Sequence, residues 1–417
     1  MQNLQSEDYS AYIPVGWNKM RLEQLCEILD YRRIPIKDSE RAKRKGSIPY
    51  YGASGIIDYI NDFIFNEKLL CLAEDGENLR SRMLPIAFSI EGKTWVNNHA
   101  HVLKPLERVV KHEYLKNFLN HIKYEKYLTY TAQPKLTQDK MKHILILVPP
   151  LKEQQKIAST LSIVDELIQK TDQIIEQTQR LKKGLMQKLL TKGIGHTNYK
   201  TINFGFRFLT EKIPESWKVS ILRDLSISGL QNGIFKKRDE FGEGVPIVNV
   251  SDLFQDHDIK LSELERVKVS DSELINFGIN EGDVFFCRSS LVVDGIGRCN
   301  LVSKLYELSV FECHVIMCRP NKQKIHPKFL TYFIQSNLGR KFLLSIAMTL
   351  TMTTIRQPDL EKMIIFIPPL VEQEKILSII ESVDSKIDMD LKYLRYLKNI
   401  KNGLMQNLLT GKIRVKV

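Results

Sequence analysis

Residues 149–191 of this chain recur without a gap as residues 368–410, with nineteen of the 43 aligned positions identical. The matches include Glu153-Gln154 with Glu372-Gln373, Val164-Asp165 with Val383-Asp384, and Gly184-Leu185-Met186-Gln187 with Gly403-Leu404-Met405-Gln406. The duplication reaches further. Ile13-Pro14-Val15-Gly16-Trp17, followed by Leu22 and Leu25, returns as Ile213-Pro214-Glu215-Ser216-Trp217, followed by Leu222 and Leu225. A chain that carries one long element twice is built from two copies of one unit, so its expected target is also something met twice.

The long element reads as a helix. Pro149-Pro150 and Pro368-Pro369 stop the strands before it, and Glu153 and Glu372 sit in the first turn, where a carboxylate suits the helix dipole. Apolar residues recur at Ile157, Leu161, Val164, Ile168, Ile175, Leu181, Leu185 and Leu189, and again at Ile376, Ile380, Val383, Ile387, Leu394, Ile400, Leu404 and Leu408. Steps of three, four and seven are those of a coiled-coil seam, interrupted near Thr178 and Leu397.

Such a seam cannot stay in water, and the matching surface within the chain is the other copy, so the two helices are predicted to pair. About 38 residues at ~1.5 Å each give a rod of roughly 55 to 60 Å. Antiparallel pairing would hold the two globular domains at opposite ends of that rod. Parallel pairing would require the Gly193-Ile194-Gly195 region and the second domain to bridge its length. A plain packing device accounts for the seam but not for the identical polar residues off it. Glu153, Gln154, Asp165 and Gln187, with their copies Glu372, Gln373, Asp384 and Gln406, are therefore read as a surface offered twice to a partner, and Lys182 recurs with them.

Between these markers the halves share order more than sequence. The first suggests a strand at Leu69-Leu70-Cys71-Leu72, a hairpin turning at Glu91-Gly92-Lys93, a strand at His101-Val102-Leu103 and a helix over about 112–128. The second suggests strands at Asp283-Val284-Phe285-Phe286 and His314-Val315-Ile316-Met317, then a helix over about 327–343. The expected organisation is mixed α/β. Two globular domains, 1–148 and 196–367, would be separated by an antiparallel two-helix coiled coil formed by 149–195 and 368–417.

With 417 residues and 43% hydrophobic content, the chain can bury two cores. It lacks an apolar run of the roughly 18 to 20 residues needed to span a bilayer, and its amino terminus (MQNLQSEDYS) has neither a basic start nor an apolar core. A cytoplasmic protein without membrane contact is expected. The six scattered cysteines suit reduced thiols. Cys313, His314 and Cys318 lie close enough to suggest metal, but VFECHVIMCRP reads as a strand and no C-x-x-C partner exists, so no metal site is assigned.

A formal charge of +12 fits a polyanionic partner such as nucleic acid. In the first domain Arg32, Arg33, Lys37, Arg41, Lys43, Arg44 and Lys45 precede Tyr50-Tyr51-Gly52. These cations could neutralise phosphates, while Arg80, Arg82, Asn97 and Asn98 offer base-edge donors and acceptors. The second-domain candidates are Lys236, Lys237, Arg238, Asn249 and Arg288. Gln133-Pro134-Lys135 and Arg356-Gln357-Pro358 stand at matching places before the long helices.

No motif assembles a reaction centre, and no catalytic residue is assigned. Gly92-Lys93-Thr94 resembles the end of a phosphate loop, yet Ala87 stands where that motif needs glycine. Pro358-Asp359 with Glu361-Lys362 is too compact for a two-carboxylate nuclease site. The chain has no G-x-G-x-x-G, no H-E-x-x-H and no Asn/Asp-Pro-Pro-aromatic tetrapeptide.

The I-P-x-x-W opening, the strand ending in Pro-Pro-Leu, the Glu-Gln after it and the Gly-Leu-Met-Gln-x-Leu-Leu-Thr close, all present twice, resemble the specificity subunit of type I restriction-modification enzymes. Tyr50-Tyr51-Gly52-Ala53-Ser54-Gly55 and Trp95-Val96-Asn97-Asn98-His99-Ala100-His101 also look like segments of that family's target recognition domains. The second domain departs from that subgroup, with Gly282-Asp283-Val284 and Cys287-Arg288, which implies unlike half-sites.

The resemblance implies a DNA-binding subunit that selects a split, asymmetric sequence in double-stranded DNA without altering it. It also implies two modification subunits that methylate adenine with S-adenosylmethionine, and restriction subunits that use ATP and Mg²⁺, so that no cofactor belongs to this chain. Two other readings remain on sequence grounds: a self-contained DNA-modifying enzyme, and a coiled-coil scaffold without DNA binding.

Overall fold

A computed structural model describes residues 13–130, 133–203, 210–255, 258–349 and 352–416. The amino-terminal decapeptide discussed above lies outside them. No helix among the described residues is long and apolar enough to cross a membrane.

The chain divides into two compact units, one of residues 1–173 with 391–417 and the other of residues 174–390. The boundary falls inside each long helix rather than at 148 and 367. The reason is burial: each half-helix sinks its apolar face into a globular core.

In the first unit a four-stranded antiparallel sheet runs in the order Cys26–Ile28, Ala100–Pro105, Leu69–Ala73, Ala87–Ile90. All five residues of Leu69–Ala73 are buried, as expected for an unbroken apolar run covered on both faces. The helix His112–His121 packs Tyr114, Leu115 and Phe118 into the same core. It ends seven residues before the sequence expectation, because Ile122 turns extended and a short 3₁₀ turn follows at Glu125–Tyr127.

Gly92 does make a turn, at φ +70°. The strands flanking it do not pair with each other, however: Ala87–Ile90 joins Leu69–Ala73, while Lys93–Val96 lies parallel to Lys45–Gly52 in another sheet. A chain reversal does not specify which partner each strand takes.

The second unit repeats this design. Its sheet runs Ser226–Asn232, Val315–Pro320, Val284–Cys287, Cys299–Leu301, also antiparallel throughout. A parallel pair again stands beside it, Phe241–Val248 with Val310–Phe311. The expected helix over 327–343 is two helices, Pro327–Gln335 and Asn337–Ile346. Ser336 breaks it with extended backbone, and its hydroxyl accepts from the Gly339 amide at 3.3 Å, which caps the second helix.

The long helices are Leu151–Lys192 and Leu370–Leu408. In the first unit Ile157 and Leu161 share a core with Leu147, Tyr114, Met405, Leu408 and Leu409. Lys401 meets Asp165 at 2.6 Å. In the second unit Met186, Leu189 and Leu190 share a core with Ile376, Ile380, Trp217 and Phe366, and Lys182 meets Asp384 at 2.5 Å. Early residues of one helix thus face late residues of the other within each unit, which is antiparallel pairing.

Of the expected seam, Ile157, Leu161, Val164, Ile376, Ile380 and Ile387 are buried, and Ile168 and Val383 are half-buried. Two positions depart from the pattern: Leu181 is 55% exposed, while Leu397, where the seam was expected to break, is buried.

Candidate nucleic-acid interface

Each long helix is fastened to its domain by the same two side chains. Trp17 Nε1 donates to Glu153 Oε2 at 3.0 Å, and Trp217 Nε1 donates to Glu372 Oε2 at 3.0 Å. Arg414 adds a bidentate contact to Glu153 at 2.7 and 2.8 Å, and His196 Nε2 lies 2.8 Å from Glu372. Gly193 and Gly411, at φ +64° and +70°, permit this approach, since a side chain would collide with Glu372 at the first and Pro14 at the second.

Gln154 and Gln373 are buried. Gln154 Oε1 accepts the Lys111 amide at 2.7 Å and its Nε2 donates to Pro149 O at 2.8 Å; Gln373 does the same with the His326 amide at 2.7 Å and Pro368 O at 2.8 Å. Asp165 and Asp384 hold the cross-helix lysines.

The expectation that Glu153, Gln154, Glu372 and Gln373 form a surface for a partner is therefore corrected, while Asp165 and Asp384 keep side chains 41% and 29% exposed beside their lysines. The first four recur because the chain solves one internal docking problem twice. Gln187 is exposed and Gln406 half-buried, both on the last turns of the helices.

The structure also redistributes the predicted DNA-binding residues. Arg33 bonds Glu74 at 2.7 Å and Ala100 O at 2.8 Å, and Arg32 bonds Ile64 O at 2.9 Å. Tyr50 is 1% exposed, with its hydroxyl accepting from the Ile36 amide at 3.0 Å. Arg82 donates to Ile122 O and Asn120 O, satisfying carbonyls at the end of the helix His112–His121. Asn97 is buried, its Oδ1 accepting from the His99 amide at 2.8 Å.

Lys236 is nearly buried between Glu240 at 2.9 Å and Glu273 at 3.0 Å. Burial alone would lower its pKa, but the two carboxylates raise it above the ordinary value. Arg33, Tyr50, Arg82, Asn97 and Lys236 thus belong to the fold, because polar groups this enclosed have internal partners to satisfy, whereas the Arg32 side chain remains 36% exposed.

Other candidates are gathered by a backbone ladder, some of them with internal partners of their own: Tyr51 stacks on Phe88, Arg288 donates to Cys313 O at 3.2 Å and Asn249 to Glu265 at 3.2 Å. In the first unit the Asn97 amide donates to Tyr51 O at 3.0 Å, the Glu74 amide to His99 O at 2.9 Å, and the Leu136 amide to Glu74 O at 2.7 Å. In the second the Glu312 amide donates to Val248 O at 3.1 Å, the Arg288 amide to His314 O at 2.8 Å, and the Ile355 amide to Arg288 O at 2.9 Å. Four loops distant in sequence therefore converge in each unit.

On the first ladder stand Tyr51, Asn98, His99 and Lys135; on the second stand Asn249, Arg288, His314 and Arg356. Asn98 and His314 are exposed, the Arg356 side chain is 64% exposed, and Lys135 reaches Glu74 at 3.2 Å. Lys43, Lys237 and Arg238 are exposed, Arg44 and Lys45 pair with Glu40 and Asp58, and Arg80 with Glu77; all lie off the ladders.

The chemistry of the two ladders differs. Glu74 in the first is replaced by Arg288 in the second, so equivalent backbone carries opposite charge. Beneath the first, Asp30, Glu74 and His101 form a buried cluster, with His101 Nδ1 2.6 Å from Asp30 and Nε2 2.8 Å from Leu136 O. Burial pushes the Asp30 carboxyl up, but His101, the Val102 amide and Gln138 together hold it below the usual carboxylate range. Cys318, placed near Cys313 and His314 by sequence, is buried in a central strand opposite Val284 and Leu230.

Sequence reasoning took His314 only as part of a metal candidate and His99 only as part of a family segment, and it passed over Asp75. The available signal was that both histidines stand just before a buried strand that follows the same order in each half.

The family described as type I restriction modification DNA specificity domain matches residues 14–180 and 214–398. The chain is 26% identical over 434 residues to the type I restriction enzyme MjaVIII specificity subunit of Methanocaldococcus jannaschii, covering 98% of this chain and 96% of that one. It is 30% identical over 328 residues to the putative MjaX specificity subunit of the same organism, covering 76% and 71%. The crystal structure of a type I restriction-modification system S subunit from M. genitalium superposes with a TM-score of 0.56 at 14% identity, covering 96% of this chain and 97% of that one.

Proposed function

The chain belongs to the type I restriction modification DNA specificity family, and from that premise we propose that each unit reads one half of a split, asymmetric sequence in double-stranded DNA. The observation that carries this reading is the repeated ladder with unlike residues. One backbone frame presents Asn98, His99 and Lys135 in one copy and Asn249, Arg288, His314 and Arg356 in the other. Equal frames suit equal tasks, and unequal side chains suit unequal sequences.

The chain selects and its partners react. In this reading two modification subunits methylate adenine with S-adenosylmethionine, restriction subunits use ATP and Mg²⁺, and the assembly works in the cytoplasm. The docking surface for modification subunits is not the buried Glu-Gln pair but exposed apolar residues of the helices. In the first unit these are Ile163, Leu167, Tyr393 and Tyr396, 39 to 60% exposed, and in the second Ile174, Leu181 and Met389, 45 to 58% exposed. Side chains of this size left open on a helix mark a contact site.

The test is reconstitution with the modification subunit and mapping of methylated adenines. Methylation confined to one bipartite sequence supports the reading. Methyl transfer or cleavage by the chain alone overturns it in favour of a self-contained enzyme, and absence of salt-dependent DNA binding by the complex would favour a scaffold.

A further inference from the structure

We propose that His99 reads a base edge in the half-site of the first unit, with Asp75 as the positioning residue that sets which ring nitrogen faces the DNA. The inference deepens the reading of that ladder as a DNA-recognition surface and rests on it.

The His99 side chain is 52% exposed, so burial does not explain its orientation; Asp75 does. His99 Nδ1 lies 2.8 and 3.0 Å from the two Asp75 carboxylate oxygens. The backbone is fixed as firmly as the ring, since the His99 amide donates to Asn97 Oδ1 and its carbonyl accepts from Glu74. Asp75 is in turn held by a backbone bridge to Lys135, so the carboxylate that orients the ring sits on the same four-loop frame.

In the neutral ring, a carboxylate on Nδ1 makes that nitrogen the donor and leaves Nε2 with a lone pair. Among the described residues no partner of Nε2 is found. An acceptor fixed on this frame matches an exocyclic amino group, adenine N6 or cytosine N4, in the major groove, and mismatches the keto oxygens of guanine and thymine.

The second unit supplies an internal contrast. His314 occupies the equivalent rung, its carbonyl accepting from Arg288, but the residue matching Asp75 is Ser289, and the carboxylate nearby, Glu312, takes the His314 backbone amide instead. The two histidines share a place without sharing a holder. The assignment therefore covers His99 alone.

The experiment uses the chain assembled with its modification subunit and a DNA library randomised over the wild-type target. His99→Ala is expected to lower discrimination at one position of the first half-site by about 5- to 10-fold, with the second half-site read as before. His99→Gln, whose Oε1 can accept, is expected to restore part of the preference, and Asp75→Asn to weaken it without abolishing binding. The preferred base at that position, adenine or cytosine, identifies which amino group is read.

Uniform weakening on all sequences with a salt slope shallower by about 1 would make His99 a phosphate contact and overturn the proposal. So would unchanged discrimination, or loss at both half-sites with a fall in Tm. If the wild-type complex shows no bipartite preference, the DNA-recognition reading fails first, and the two failures remain distinguishable.

Discussion

Replacing Gln373 with alanine removes a side chain that is 0% exposed and makes contacts in three directions. Its Oε1 accepts the His326 amide at 2.7 Å, and its Nε2 donates to Pro368 O at 2.8 Å and Lys324 O at 3.4 Å. The His326 amide stands at the start of the helix Pro327–Gln335, and Pro368 lies two residues before the second long helix, so the Gln373 amide ties two helix starts together. Truncation leaves at least one buried donor and one acceptor unpaired. At about 1 to 3 kcal/mol for each such group, partly relieved by relaxation, the expected loss is about 2 to 4 kcal/mol.

A unit of this size loses roughly 2 to 4 °C of Tm per kcal/mol, which places the shift on the order of 10 °C. Gln154→Ala should cost the first unit a similar amount, because its cradle has the same geometry. The assay is thermal unfolding of the assembled complex with hydrogen exchange at the His326 and Lys111 amides. If Tm stays within about a degree and both amides keep their protection while assembly weakens, the residues are a partner surface after all, and the internal-docking argument is refuted.

Three further outcomes follow from other parts of the structure. Arg356→Ala, in a side chain 64% exposed and paired among the described residues with Asp359, should weaken reading of the second half-site while leaving the first intact, as measured by methylation of split targets with one half scrambled. Asp58 is held at a pKa of about 2 by the Lys45 ammonium, the Tyr59 amide and Arg41. A depressed folded-state value contributes stability above the unfolded carboxylate range and loses it as pH falls toward 2, so Lys45→Ala should move the Asp58 titration upward in carboxyl NMR, and an unmoved titration would contradict the contact. Cys313, the one cysteine that is not buried, should be alkylated first at neutral pH, since burial pushes Cys287 up to about 11 and Cys299 and Cys318 up to about 12; equal labelling by mass spectrometry would contradict that burial.

The architecture was legible because its signals are periodic. Ile157, Leu161, Ile376 and Ile380 mark a helical stripe at fixed spacing, and the 219-residue offset showed that the stripe occurs twice. The phase failed at Leu181, which opens to solvent while Met186, Leu189 and Leu190 turn into the second core, because the helix changes partner along its length. Periodicity reports a face; it does not say what covers that face.

The site was less legible, since charge and amide composition do not distinguish a solvated reader from a structural cation. Arg33 and Lys236 looked like phosphate ligands, yet each is enclosed by one nearby carboxylate, Asp30 or Glu240, and one far away in sequence, Glu74 or Glu273. Conversely, Lys135 and Arg356 were found by standing shortly before each long helix, although the ladders match Lys135 with Thr354 and Arg356 with Thr137; the convergence that gives them meaning depends on three backbone hydrogen bonds that join four loops in each unit. Identical polar residues proved the most misleading signal: Glu153 and Gln154 recur for the sake of Trp17 and the Lys111 amide, not for an outside molecule.

The account depends on both ladders facing bases, so the most direct test is a structure of the assembled methyltransferase on its mapped target. Asn98, His99 and Lys135 are predicted against one DNA segment, and Arg288, His314 and Arg356 against another of different sequence. A complex in which either set faces away from the duplex, or in which both contact only phosphates, would contradict it.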